Sequence, residues 1–103
     1  MSLFQNLFSG GQTADLKPMI EQGAFLVDVR EPGEFSSGSA KGAVNIPLGS
    51  LESQLNLFKG KENIIVFCRS GNRSGQAKAI LEQHGIKNVV NGMTWENVDR
   101  FLK

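Results

Sequence analysis

The stretch Ile64-Ile65-Val66-Phe67-Cys68-Arg69-Ser70-Gly71-Asn72-Arg73-Ser74 joins an apolar run to a polar, glycine-containing loop. Its first four residues are β-branched or aromatic without interruption, the pattern of a strand buried on both faces. Beyond the loop, Ala77, Ile80, Leu81 and His84 recur at i, i+3, i+4 and i+7, the period of one helix face. A buried strand, a loop and a helix in succession predict an α/β unit with Cys68 at the carboxyl end of the strand. In open α/β sheets ligands bind in the crevice outside those ends, so the position predicts a site rather than a packed thiol.

Outward from that stretch, Phe25 to Val29 is a short apolar strand, Val44 to Ile46 is a strand stopped by Pro47, and Val89-Val90 is another. Leu16, Met19 and Ile20 mark a helix ended by Gly23, with Pro18 near its start. Glu31 to Ser36 forms one helical turn opened by Pro32, Ser36-Ser37-Gly38-Ser39 is a loop, and Leu51 with Leu55 marks a further helix. Gly85 supplies a left-handed cap, and Thr94 caps a last helix with Trp95, Val98, Phe101 and Leu102 turned inward. This alternation predicts the α/β class, with a mainly parallel central sheet and helices on both faces. Leu3, Phe4, Leu7 and Phe8 have helical spacing until Ser9-Gly10-Gly11 breaks it. We read residues 1–12 as a short N-terminal segment, folded back or frayed, with docking or self-association as the alternative, and 13–103 as the domain.

A chain of 103 residues has room for one core. A hydrophobic share of 40%, a charged share of 20% and a formal charge of +1 are ordinary for a globular protein and argue against a nucleic-acid partner selected by bulk charge. One cysteine excludes an internal disulfide, and one cysteine with one histidine cannot supply a usual zinc site, so metal dependence is not expected. No run approaches the about 18 apolar residues of a membrane-spanning helix, and the N-terminus lacks a basic stretch followed by an apolar signal core. A cytoplasmic protein without a membrane partner is the expectation.

Backbone N–H groups between Cys68 and the first helical turn have no strand or helix partner, and a loop curled around the sulfur makes them converge on it. The positive end of the helix dipole adds to their field, and with Arg69 and Arg73 nearby the thiolate is favoured over the thiol. Gly71 and Asn72 tolerate left-handed backbone angles, and Arg73 can reach inward as a fixed positive charge. Cys68 is therefore the candidate nucleophile, with Arg69, Ser70, Gly71, Asn72 and Arg73 as the candidate binding loop. Arg69 is either an attractor at the pocket mouth or a solvated charge. Asp28 and Arg30 end the first strand at the same sheet edge and can line the pocket, but Arg30 and Glu34 are placed for an ion pair across the turn, which predicts a supporting role. His84 lies ten residues beyond Ser74, about 15 Å at the helical rise and too far from Cys68 to serve as its base. Trp95 is expected in the core.

The segment Cys68 to Arg73 resembles the six-residue active-site loop of rhodanese-like domains, whose cysteine carries a sulfane sulfur as a persulfide. Asp28-Val29-Arg30-Glu31-Pro32 with Glu34-Phe35 is similar to the family's first signature, Gly42-Ala43-Val44-Asn45-Ile46-Pro47-Leu48 to the segment after it, and Asn91-Gly92-Met93-Thr94-Trp95 to the closing one. In the family's order these cover most of the chain from Thr13 to Leu102. Two departures stand out: Gly38-Ser39-Ala40 replaces a common Gly-His-Ile, and Asn91-Gly92 replaces the usual Gly-Gly.

The resemblance implies a rhodanese-like fold and a single-domain sulfurtransferase. Thiolate Cys68 would attack the outer sulfur of thiosulfate or a related donor, and sulfite would leave. The loop amides and Arg73 would hold the persulfide until cyanide, a small thiol or a protein thiol removes it. The resemblance implies no metal or organic cofactor, and with no second cysteine in the chain the acceptor is external. The alternatives are a cysteine-dependent phosphatase or arsenate reductase, and a non-catalytic sulfur-sensing or binding module. Phosphatase loops have five residues between cysteine and arginine, whereas four separate Cys68 from Arg73.

Overall fold

All five residues of strand β3 (Ile64–Cys68) are buried, as an unbroken apolar run requires. The computed structural model describes residues 15–102, so the segment expected at 1–12 lies outside the described residues. β3 lies between β1 (Phe25–Asp28) and β4 (Val89–Thr94), with β2 (Val44–Asn45) outside β1; the order is β2-β1-β3-β4 and every pairing is parallel. Parallel neighbours need crossovers. These are α2 (Pro32–Ser37) after β1, a 3-10 helix (Leu48–Leu57) after β2 and α3 (Asn72–Gln83) after β3, while α1 (Lys17–Glu21) precedes the sheet and α4 (Trp95–Arg100) follows it.

The two-residue period of β3 divides the core between the faces of the sheet. Ile64, Val66 and Cys68 pack with Val27, Leu51, Phe58, Ala77 and Leu81, beneath the 3-10 helix and α3. Ile65 and Phe67 pack with Leu16, Leu26 and Val98, on the side of α1 and α4. Both faces are thus covered, as the alternation of elements predicts.

Strand order decides where a ligand can sit. The chain leaves β1 for β2 on one side and returns to β3 on the other, so its direction of progress across the sheet reverses between β1 and β3. Crossovers diverge above the carboxyl ends of such a pair and leave a crevice. Val29 N–H donates to the Phe67 carbonyl at 2.9 Å, which keeps the two strand ends abreast. Arg30 and Cys68 follow from those ends into the same region.

Two local expectations are refined and a third holds. The segment marked by Leu51 and Leu55 is a 3-10 helix with a break at Gln54 (φ −127°), in keeping with the weak helix formers Gly49, Ser50 and Asn56 and with a single fully buried anchor, Leu51. Asn72 begins α3, so Gly71 alone carries the left-handed angle of the loop, at φ +99°. His84 stands at the end of α3, as its place ten residues beyond Ser74 predicts; it is exposed and meets Glu52 of the 3-10 helix at 3.2 Å.

Candidate active site

β3 delivers Cys68 to the crevice with none of its surface exposed. The chain then turns back over the sulfur, so that Gly71 N–H donates to Sγ at 3.0 Å and Ser74 N–H at 3.4 Å. The Ser74 hydroxyl lies 3.4 Å from the same atom. Gly71 makes the turn possible: a Cβ there would adopt a left-handed backbone and stand 2.7 Å from Met93 Cε. Ser74 belongs to the first turn of α3, where N–H groups lack helical acceptors and the dipole is positive. Burial pushes the Cys68 thiol up, but the Ser74 hydroxyl and the N–H groups of Ser74, Ser70 and Gly71 push it down and prevail, leaving it below the ordinary thiol value.

Arg73 does not reach inward as a free charge. Its guanidinium makes a two-toothed pair with Glu34 of α2, Nη1 to Oε1 at 2.8 Å and Nη2 to Oε2 at 3.1 Å. The pair ties the start of α3 to α2 across the crevice. Arg73 holds the Glu34 carboxyl well down, to about 2, helped by the Glu31 backbone N–H. The Cys68 sulfur still lies within the field of Arg73.

The expected Arg30–Glu34 pair is likewise replaced, by Arg30 with Asp28. Arg30 Nε sits 3.0 Å from both Asp28 oxygens and Nη2 lies 2.7 Å from Oδ2, with the carboxylate fully buried and the arginine 5% exposed. Ser39 Oγ donates to Asp28 Oδ2 at 2.7 Å, and Arg30 Nη2 also donates to the Gly38 carbonyl at 2.6 Å. The Asp28 hydrogen bonds raise the arginine further above its ordinary value. This network fastens the end of β1 to the loop after α2 and supports the crevice from below. Sequence could not choose between the two pairings: Asp28, two residues before Arg30, shares its face by the strand period, while Glu34, four residues after it, is within reach across the turn.

Beside the loop lies a cavity of about 350 Å³ lined by Arg30, Glu34, Ser37, Arg69, Trp95 and Glu96. Arg69 is exposed on its wall, which favours the mouth position over a charge pointing into solvent away from the site. Asp28 does not line it. Trp95 does, half-buried, with the Arg30 guanidinium 5.7 Å from its ring centre, so it is both core and cavity wall. Cys68, Arg69, Gly71 and Arg73 are thus gathered at one place together with the Ser70 N–H, while Ser70 and Asn72 are otherwise exposed. Ser74 and Asn91 also belong to the site, though neither is among the residues expected there. Ser74 is signalled by its place just beyond the loop in the first helical turn, and Asn91 by replacing a glycine of the family pattern. Among the described residues, no three His, Cys, Asp or Glu side chains gather as a metal site requires.

The sequence profile of the family described as rhodanese-like domain matches residues 12–93. A sulfurtransferase of Allochromatium vinosum is 35% identical over 66 residues, covering 64% of this chain and 62% of that protein. The thiosulfate sulfurtransferase PspE of Escherichia coli is 36% identical over 67 residues, covering 63% of this chain and 64% of its own length. The chain thus spans slightly less than two thirds of each of these curated relatives. Among solved structures, a rhodanese with anions from E. coli superposes with a TM-score of 0.66 at 31% identity, over 73% of this chain and 91% of that one.

Proposed function

Since this chain belongs to the rhodanese-like domain family, we propose that it moves a sulfane sulfur from thiosulfate or a related donor to an external thiol or cyanide, through a persulfide on Cys68. The observation that carries this reading is the convergence of the Gly71 and Ser74 N–H groups on Sγ, at 3.0 and 3.4 Å, around a thiol held below its ordinary value. Such a cradle favours an anion on sulfur, whether thiolate or persulfide. The Cys68 thiolate attacks the outer sulfur of thiosulfate; the new S–S bond forms as the donor's own S–S bond breaks, and the electron pair departs with sulfite. An acceptor thiolate then attacks the outer sulfur of the persulfide, leaves as a new persulfide and returns Cys68 to the thiolate.

Because Cys68 is covered, the donor reaches Sγ from the cavity side as the exposed Arg69–Ser70 edge of the loop yields. Arg69 attracts the donor dianion there, and Arg73 with Glu34 keeps the helix start in register. Four residues between Cys68 and Arg73, with the guanidinium engaged by Glu34, favour a single sulfur atom over a phosphoryl group. We assign residues 13–103 to the catalytic domain and 1–12 to an appended segment, and place the protein in a reducing, cytoplasmic setting with no resident cofactor. No helix among the described residues is long and apolar enough to cross a membrane.

Mass spectrometry after exposure to thiosulfate tests the reading. The native protein gains the mass of one sulfur and loses it to cyanide, Cys68→Ala gains nothing, and aryl phosphates are not hydrolysed. Turnover of thiosulfate by Cys68→Ala would overturn it.

A further inference from the structure

Asn91 stands where the pairing of β4 with β3 slips. Val66 lies opposite Asn91 but Phe67 opposite Met93, so Gly92 is the extra residue of a bulge. At this bulge the Asn91 side chain meets the sulfur loop. Its Nδ2 donates to the Gly71 carbonyl at 3.0 Å, while Oδ1 accepts from Met93 N–H at 2.9 Å and from the Ser74 hydroxyl at 2.6 Å. A carbonyl can only accept and a backbone N–H can only donate, so these two contacts fix which way the amide points. Oδ1 therefore faces Ser74, and the serine must be the donor in the 2.6 Å contact.

A serine hydroxyl has one proton. While it is given to Asn91, the lone pairs of Ser74 Oγ, 3.4 Å from Sγ, can only accept a hydrogen bond from the thiol. Once the sulfur is an anion, a lone pair facing it is repulsive, and the hydroxyl gains by turning its proton from Oδ1 to Sγ. We propose that Asn91 is a positioning residue that competes with Cys68 for the Ser74 proton and so sets how strongly the loop holds a sulfur anion. Asn91 also holds the Gly71 carbonyl, and the part of its effect that passes through Ser74 is what a double-mutant cycle isolates. The proposal rests on the reading of Cys68 as the sulfur-carrying nucleophile.

The charged groups around the loop are Arg69 within it, Arg73 on α3 paired with Glu34 of α2 and within the field of Glu31, Arg30 paired with Asp28 at the end of β1, and Glu96 of α4 on the cavity wall. None of them changes in the variants that test the proposal, so their fields cancel in a comparison. Cys68 is the chain's one cysteine, and the ¹³Cβ shift of labelled cysteine reports its ionisation without any need for a reagent to reach it. The experiment is a double-mutant cycle on that titration, with native protein, Ser74→Ala, Asn91→Ala and the double variant.

With Asn91 present, Ser74→Ala should raise the thiol pKa by only that part of the hydroxyl's help which Asn91 leaves to the sulfur. With Asn91 removed, the freed hydroxyl serves the thiolate fully, so adding Ser74→Ala should raise the pKa by about one unit, a tenfold loss of thiolate below the transition. An equal or smaller Ser74 effect in the Asn91→Ala background would overturn the proposal. A second measurement needs no change at Asn91. The Met93 amide proton, bonded to the same Oδ1, should shift with the Cys68 titration in native protein and lose that response in Ser74→Ala; an identical response in both would overturn the proposal. Neither measurement uses a sulfur donor. Failure to form a persulfide would therefore strike the transfer reading alone, and absence of coupling would strike this proposal alone.

Discussion

Replacing Gly71 with alanine tests whether the sulfur loop depends on a backbone shape that a side chain opposes. Gly71 has φ +99° and ψ −7°, a left-handed conformation that costs an ordinary residue about 1–2 kcal/mol. The added carbon would stand 2.7 Å from Met93 Cε, 3.0 Å from its Sδ and 3.4 Å from its Cα. A thioether end can swing aside, so this contact adds less than the backbone term. The expected loss of about 1–2 kcal/mol corresponds to a fall in Tm of about 5–15 °C for a domain of this size. Thermal melts followed by circular dichroism measure it. Gly71→Ala/Met93→Ala removes the contact and keeps the backbone angle, so relative to Met93→Ala it should retain at least half of the loss. The ¹³Cβ titration of Cys68 gives a second readout: a strained loop relaxes by turning the Gly71 N–H, now 3.0 Å from Sγ, away from it, and the thiol pKa rises. A Gly71→Ala protein that melts within about 1 °C of native would refute the reasoning. Full recovery in the double variant would assign the cost to Met93 instead of the backbone.

Two further expectations concern the ion pairs. Asp28→Asn leaves the buried Arg30 without its carboxylate and should cost about 3–5 kcal/mol, read by denaturant unfolding; because Arg30 lies 5.7 Å from the ring centre of Trp95, the single tryptophan should also change its fluorescence. A loss under about 1 kcal/mol would show that the pair is not held out of water. Glu34→Gln tests the tie between α2 and α3 through pH. The Glu34 carboxyl is lowered from 4.5 to about 2 in the folded protein, so its contribution is complete above the unfolded value and disappears as pH falls through the folded one. The Tm difference between native and variant should be largest near neutrality and shrink from pH 5 towards pH 2, and a difference that does not vary with pH would remove Arg73 as its cause.

Much of the architecture is legible in local patterns. A short unbroken run of β-branched and aromatic residues favours a strand covered on both sides, and Ile64–Cys68 is one. Thr94 is a helix-capping residue by type, and its side chain accepts from Asn97 N–H at 3.0 Å. Pro32 opens α2, and Gly85 takes the left-handed angle at the end of α3. The loop around Cys68 could be anticipated for the same reason: N–H groups left over at a helix start must find an acceptor, and the sulfur is the nearest one.

The assignment of ionic partners was not legible, because a charge pairs with whatever the fold brings within reach. Glu34 lies 39 positions from Arg73, yet the crevice between β1 and β3 sets them face to face, and Arg30 turns to Asp28 instead. The same holds for Asn91, which meets Ser74 only because a bulge shifts the register of β4 against β3.

The alternation of strand and helix and the place of Cys68 at a strand end were legible in the sequence, which left Gly71 and Asn72 equally open to the left-handed angle that Gly71 takes. Each of these follows from the conformational preferences of a few neighbouring residues. Tertiary structure alone decided that Arg73 braces the loop through Glu34, that Trp95 forms part of the cavity wall, and that Asn91 holds the hydroxyl beside the sulfur. Hydrogen bonds and ion pairs act over about 3 Å, and only the packing of distant segments brings those partners within that range.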